Sequence, residues 1–405
     1  MLKGFAILAL CISQFSFSQD STFHKTKLDT SKGSMNMDAT YDRPFLSYKN
    51  VPVAVGGYLE ANTRYALADG ITDGLSFQAR RFTLFLSSSI KNRLKFLAEI
   101  EFEDGTKEIA IEFAALDLSI NPLLNFRGGI VMNPIGAFNQ NHDGPKWEFI
   151  DRPIVSVQML PATWSNAGFG LYGKTAKNNW IFGYELYLTN GFNGNIIDNE
   201  ENKTFLPAAK EDDLRFEESS NGQPLYTGKI AIKNRKLGEI GFSYMGGIYN
   251  HFEIEGITLD SKRRLDVMAF DINFDLPKIG TTVIGEIAFI GLDIPDTYSE
   301  QFGKNQWGGF VDIIQPVWHP KVFNWKDAVL NVNFRTEFAD WNVGTFSGTT
   351  LDIGEDVFAI TPGVSFRPSA QTVFRLNYQY QWQTDILNNP SARTATWLVG
   401  ISTYF

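Results

Sequence analysis

From Val53 onward the chain alternates hydrophobic and polar residues in short runs. The cleanest covers 372–383, where Phe374, Leu376, Tyr378, Tyr380 and Trp382 interleave with Arg375, Asn377, Gln379, Gln381 and Gln383. Successive side chains of a strand leave on opposite faces, so strict period two describes a ribbon with one apolar and one polar wall. At 330–338 the pattern returns, with Leu330, Val332, Phe334, Thr336 and Phe338 set against Asn331, Asn333, Arg335 and Glu337. The pattern predicts strands at 53–67, 75–89, 94–104, 109–120, 123–133, 167–176, 179–189, 225–234, 238–248, 265–275, 280–290, 305–316, 328–339, 355–366, 371–383 and 395–405. Most approach the ~9–11 residues that a tilted membrane strand requires. Phase breaks around Arg80-Arg81 and between Glu112 and Asp117, where a bulge would switch faces.

The connections alternate as well. Those after the even-numbered runs are short and turn-like, such as Asn121-Pro122 and Lys177-Asn178, with 317–327 as the main exception. Those after the odd-numbered runs are mostly longer, and 134–166 and 190–224 are the extremes. Short turns on one side and long loops on the other imply a closed barrel with a periplasmic and an extracellular rim. The expected fold is therefore all-β: a 16-stranded antiparallel transmembrane β-barrel over 53–405, in the outer membrane of a Gram-negative bacterium. A terminal Phe405 suits a last strand that closes on the first and is read by the barrel-assembly machinery.

Composition refines this. Aromatics make up 14% of the chain, glycines number 35, and hydrophobic residues reach only 43%, which suits a barrel with a wet interior. Residues 1–18 read as a secretory signal, with Lys3, an apolar run from Phe5 to Ile12, and Ser16-Phe17-Ser18 as a small-x-small cleavage site. The one cysteine, Cys11, lies within it, so no disulfide framework is expected of the mature chain. Losing Lys3, the only charge in the signal, takes the net charge from −9 to −10, which argues against a nucleic-acid partner. Residues 19–52 are polar and read as a mobile periplasmic lead or as a tail with no role.

The chain offers little for catalysis. Gly168-Phe169-Gly170-Leu171-Tyr172-Gly173 fits G-x-G-x-x-G, but it continues as strand where a dinucleotide site would open a helix. His24, His142, His251 and His319 lack ligand spacing, and no G-x-S-x-G nucleophile elbow is present. No catalytic residue, metal or cofactor is expected. Asp293, Asp296 and Glu300 read as solvated loop charge.

Two sets of residues are functional candidates. The connection 134–166 carries Asp143, Lys146, Glu148, Asp151 and Arg152 beside Trp147, Phe149 and Trp164, with four prolines, and this aromatic and proline content argues against disorder. It reads either as a pore constriction or as an external cap. The second set is the charges in the polar phase of strands: Arg64, Arg81, Lys95, Glu99, Glu101, Arg127, Lys229, Lys233, Glu286, Arg335, Glu337 and Arg375. An Arg or Lys facing lipid would cost ~2–4 kcal/mol at mid-membrane, so phase assigns them to the lumen. There they would either set ion preference or pair across strands and stiffen the wall.

Glu148-Phe149-Ile150-Asp151-Arg152-Pro153, Gly168-Phe169-Gly170 with Gly173, and Asn190-Gly191 resemble the phosphate-selective porin O and P family. Arg80-Arg81 and the stretch from Gly128-Gly129 to Pro134 fit the same pattern. The resemblance implies a 16-stranded homotrimeric barrel, embedded in outer-membrane lipid, with an inward-folded third loop and passage of small anions. Where phosphate selectivity would want a dense ladder of lumenal Arg and Lys, Lys95 shares its strand with Glu99 and Glu101, and Glu337 follows Arg335. The expected function is passive diffusion of small polar solutes or ions. A barrel enzyme and a secreted soluble β-rich binding protein are the alternatives.

Overall fold

A strand that is apolar on one face and polar on the other is stable only where each face meets its own solvent. The computed structural model, which describes residues 23–25, 34–48, 51–90, 93–105, 107–211, 213–323 and 325–405, satisfies this with a closed ring. Its strands are β1 (Val53–Ala68), β2 (Ile71–Ile90), β3 (Leu94–Glu103), β4 (Glu108–Asn121), β5 (Leu124–Met132), β6 (Ser165–Lys177), β7 (Trp180–Asn190) and β8 (Pro224–Asn234). They continue as β9 (Gly238–Ile248), β10 (Arg264–Leu276), β11 (Thr281–Leu292), β12 (Asn305–Trp318), β13 (Val329–Asp340), β14 (Asp356–Ser369), β15 (Thr372–Gln383) and β16 (Ala392–Tyr404). Each pairs antiparallel with the next, and β16 closes on β1 from Thr394↔Ala68 to Tyr404↔Tyr58. All sixteen predicted runs are strands. The signal-like residues 1–18 lie outside the described residues.

The apolar row faces outward. Phe374, Leu376, Val332, Phe334, Ile230 and Ile232 are exposed on the outer wall, so the soluble reading, which needs this row buried against a second sheet, does not hold. Aromatic pairs collect at two levels of that wall. Phe82 stacks on Phe405 and Trp325 packs on Phe366 at the short-turn rim, while Trp307 meets Phe338 and Phe358 meets Trp382 toward the long loops. Aromatic girdles flanking an apolar band are what a lipid bilayer selects.

Both phase breaks are bulges. Arg80 is the extra residue of β2, between Ala79 and Arg81 opposite Ala61 and Glu60, and Glu112 is the extra residue of β4 opposite Glu99-Ile100. A bulge re-aims a side chain, and both of these aim at the same loop. Arg80 Nη1 donates to Asp151 Oδ1 at 2.6 Å, and Thr163 Oγ1 donates to Glu112.

Residues 34–48 correct the reading of a mobile lead. They run inside the short-turn rim, where Met35 and Met37 pack with Ile181 and Ala231. Leu46–Tyr48 then adds a short strand that meets β1 at Leu46↔Val55.

Candidate functional site

The lumen does not hold the open water column that the sequence suggested. After β5 the chain turns inward at Asn133 and crosses the barrel to Trp164. Prolines and 3-10 turns at Asn139–Asn141 and Gly144–Lys146 keep it irregular, so its backbone groups turn to the wall for partners.

These partners come from nearly the whole circumference. Lys229 Nζ donates to Gly136 O at 2.7 Å, and the amides of Ala137 and Phe138 donate to Glu286 Oε2 at 2.7 and 3.3 Å. Gln140 donates to Glu185, and Ile154 N donates to Glu337 Oε1 at 2.8 Å. Arg335 Nη1 reaches Asp151 O at 2.8 Å, and Arg375 Nη1 reaches Phe149 O at 2.8 Å and Gly144 O at 3.2 Å. At this level Glu99, Glu101, Arg127, Lys229, Glu286, Arg335, Glu337 and Arg375 are each 5% exposed or less. The void beside Arg335, Arg375 and His142 measures about 10 Å³, which admits at most about one water.

All five loop candidates lie on this inserted segment. Asp143 is wholly buried, bonded to Arg43 and to the Tyr404 hydroxyl. Lys146 donates to Ala39 O at 2.9 Å. Glu148 pairs with Arg367 at 2.5 Å, Asp151 with Arg80, and Arg152 with Glu101 at 3.5 Å.

The strand charges occupy inward positions, and most are paired across the wall. Arg81 lies between Glu60, Glu101 and Glu103 at 2.7–3.3 Å. Arg127 forks onto Asp117 at 2.8 and 3.0 Å, and Arg335 onto Asp312 at 2.6 and 2.7 Å. Lys229 meets Asp271 at 2.7 Å, and Arg375 meets Glu60 at 2.7 Å. Lys233 donates to Ser34 O, Lys95 stands exposed 5.8 Å from the Tyr41 ring, and Arg64 is exposed toward the long-loop rim.

Sequence reasoning missed the residue that joins these parts. Arg43 is fully buried. It donates to Asp143 Oδ2 and Oδ1 at 2.9 and 2.6 Å, lies 2.9 Å from Glu99 Oε2, and stacks 4.1 Å over Phe85. Only the fold could show this, because Arg43 is 100 residues from Asp143 and carries no motif. His142, set aside for want of spacing, also joins the knot. Its Nδ1 faces Asn139 O at 2.9 Å and its Nε2 faces Glu99 Oε1 at 3.1 Å. A carbonyl and a carboxylate both accept, so the site favours the doubly protonated, cationic ring. Burial pushes its pKa down, but Glu99 and Asp143 outweigh that and raise it. Against burial, Arg43 first and then Lys146 and His142 hold the Asp143 carboxyl low.

His142, Glu99 and Glu101 also form a compact trio of metal-ligand types. Arg43, Arg81 and Arg152 already neutralise these carboxylates, so the trio does not fit a metal ion.

Fold and surface together define the class: a multi-pass β-barrel of the outer-membrane type. No protein-family model matches the chain. An uncharacterized protein of Aquifex aeolicus (strain VF5) is 25% identical over 370 residues, 85% of this chain and 80% of its own length. Among solved structures, OprB of Pseudomonas putida superposes with a TM-score of 0.55 at 9% identity, over 87% of this chain and 94% of its own. An anion-selective porin from Comamonas acidovorans gives 0.51 at 13%, over 87% and 99%. The trimer form of OmpT, an outer-membrane protein of Vibrio cholerae, gives 0.52 at 11%, over 88% and 100%. At such identities the likeness is one of fold.

Proposed function

We propose that the protein is a diffusion channel of a Gram-negative outer membrane, passing small polar solutes or ions, and that the form described above is closed. One observation carries this reading: the inward positions of a sealed barrel are charged at the level where the loop crosses. A wall meant to stay dry is usually at least as stable when built from well-packed apolar side chains, because desolvating ion pairs offsets their attraction. Charged inward rows suit a lumen that wets when the loop shifts. The structural likeness to porins supports the same reading, and the trimer form of OmpT supports a homotrimer.

Asp143, Lys146, Glu148, Asp151 and Arg152 then form the constriction, and the paired wall charges line the path beside it. Because so many cations there already face carboxylates, we read the solute preference as size more than charge, without the phosphate selectivity of the O and P family. Residues 1–18 serve as the export signal, and Phe405 as the contact with the assembly machinery.

The test is planar-bilayer recording on the full mature chain and on a variant with 137–160 replaced by a short Gly-Ser linker. Each is first checked for folding by heat-modifiable gel migration. The trimmed barrel should conduct steadily and the intact chain rarely. A folded, trimmed barrel that stays silent overturns the channel reading. Turnover in an esterase or peptidase screen would favour a barrel enzyme instead.

A further inference from the structure

The loop and the N-terminal segment meet in the lumen but are held differently. The loop's far side is set in an apolar cluster that includes Phe138, Trp147, Ile154 and Trp164. Residues 34–48 have space around them. A cavity of about 520 Å³ lies between them and the wall of β3–β6, and another of about 460 Å³ between them and β8–β14. Ser34 and Asp42 line both. The segment's packed apolar contacts are few, Met35 and Met37 against Ile181 and Ala231 and Phe45 against Phe85, so it can shift at a smaller packing cost than the loop.

We propose that residues 34–48 are the bolt of this channel: Arg43, seated between Asp143 and Glu99, holds the constriction loop shut from the periplasmic side. This rests on the channel reading above. The physical step is desolvation. When Arg43 leaves, the buried carboxylates of Asp143 and Glu99 keep only His142 and Lys146 as cations, with the Tyr404 hydroxyl as a neutral donor to Asp143. Uncompensated buried charge draws in water or moves toward it. The 142–146 turn moves with its carboxylate, and a wet path opens along β1 and β3. Arg43 is a positioning residue in this scheme, since no solute need touch it.

Two features identify the contact as a bolt and not as general packing. Asp143 collects donors from three separate pieces of chain, Arg43, Lys146 and Tyr404, so one carboxylate ties the segment, the loop and the last strand together. The segment's other polar ties lie beside the cavities, including that of Tyr41, whose hydroxyl donates to Asp117 at 2.6 Å. Lys174 holds Asp38 at 2.6 Å while 42% exposed, and the amide of Asn36 meets Glu239 at 3.1–3.2 Å.

The experiment is single-channel recording of the full mature chain carrying Arg43→Gln, Arg43→Lys or Asp143→Asn, with heat-modifiable migration as the folding check. Open probability should rise at least ten-fold in Arg43→Gln and Asp143→Asn, and Arg43→Lys should return most of the way to the parent. The double variant should open no more than either single one, because both remove the same tie. If Arg43→Gln does not fold, Asp143→Asn and Arg43→Lys carry the test. Parental open probability in the folded variants overturns the bolt but leaves the channel standing, provided the loop-trimmed barrel conducts. Silence of the trimmed barrel as well overturns the channel itself.

Discussion

The two inserted pieces of chain occupy one lumen on different terms. The loop 133–164 is pinned by both kinds of force, with aromatic side chains in the apolar cluster and backbone groups hydrogen-bonded to the wall. The segment 34–48 combines one buried ion-pair knot with a few small apolar contacts, those of Met35, Met37 and Phe45, and with polar ties beside the cavities. Packed apolar surface is short-ranged and unforgiving, so the loop should yield only as a unit. A charge knot is strong while dry and weak once wet, and that difference lets one barrel contain a fixed part and a releasable one.

The largest expected effect comes from cutting the loop's anchor. Arg375→Ala removes the donor to Gly144 and Phe149 and strips a partner from Glu60, all in a buried place. It should cost about 3–5 kcal/mol, as breaking one side of a buried pair does, read as thermal unfolding of the folded barrel in detergent. A parental melting curve would mean the loop is not anchored there.

Next is the outer wall. Phe334, exposed on the outward row midway between the two aromatic levels and paired with Ile313 and Pro362, should cost about 2–4 kcal/mol as Phe334→Arg. Folding yield into vesicles reports this, and unchanged yield would contradict the outward assignment.

A smaller effect should follow pH. His142 has its pKa raised above the usual value of about 6.5, and it faces Glu99 and Glu101 of β3, Asp143 of the loop and Arg43 of the segment, with Glu60 and Arg152 lining the same void. A raised pKa stabilises the closed form fully below the unperturbed value, and that contribution is lost as pH rises through the raised one. Conductance should therefore increase on raising pH above about 6.5, and His142→Gln should flatten the rise. A rise that persists in His142→Gln would place the titration elsewhere.

The smallest effect sharpens the comparison from the segment's side. Lys174→Ala removes the half-exposed tie to Asp38, and such pairs contribute at most about 1 kcal/mol. Its open probability should stay within about two-fold of the parent. A change as large as that of Arg43→Gln would show that the rim, not the knot, holds the segment.

The sequence by itself determined the wall. Period-two alternation needs only near neighbours, and it gave sixteen strands, their inward and outward rows and the alternation of turns and loops. Even the two bulges were announced, because an extra residue breaks the phase at Arg80 and Glu112. What fills the wall was decided by the tertiary structure. Arg43, Asp117, Asp271 and Asp312 acquire their roles from partners on other strands or segments, and no local pattern distinguishes a lumenal arginine facing water from one facing a carboxylate. The polar character of 34–48 looked like that of a free tail for the same reason. A residue that satisfies buried charge and one that dissolves in water have the same chemistry, and only the closed ring around them tells the two apart.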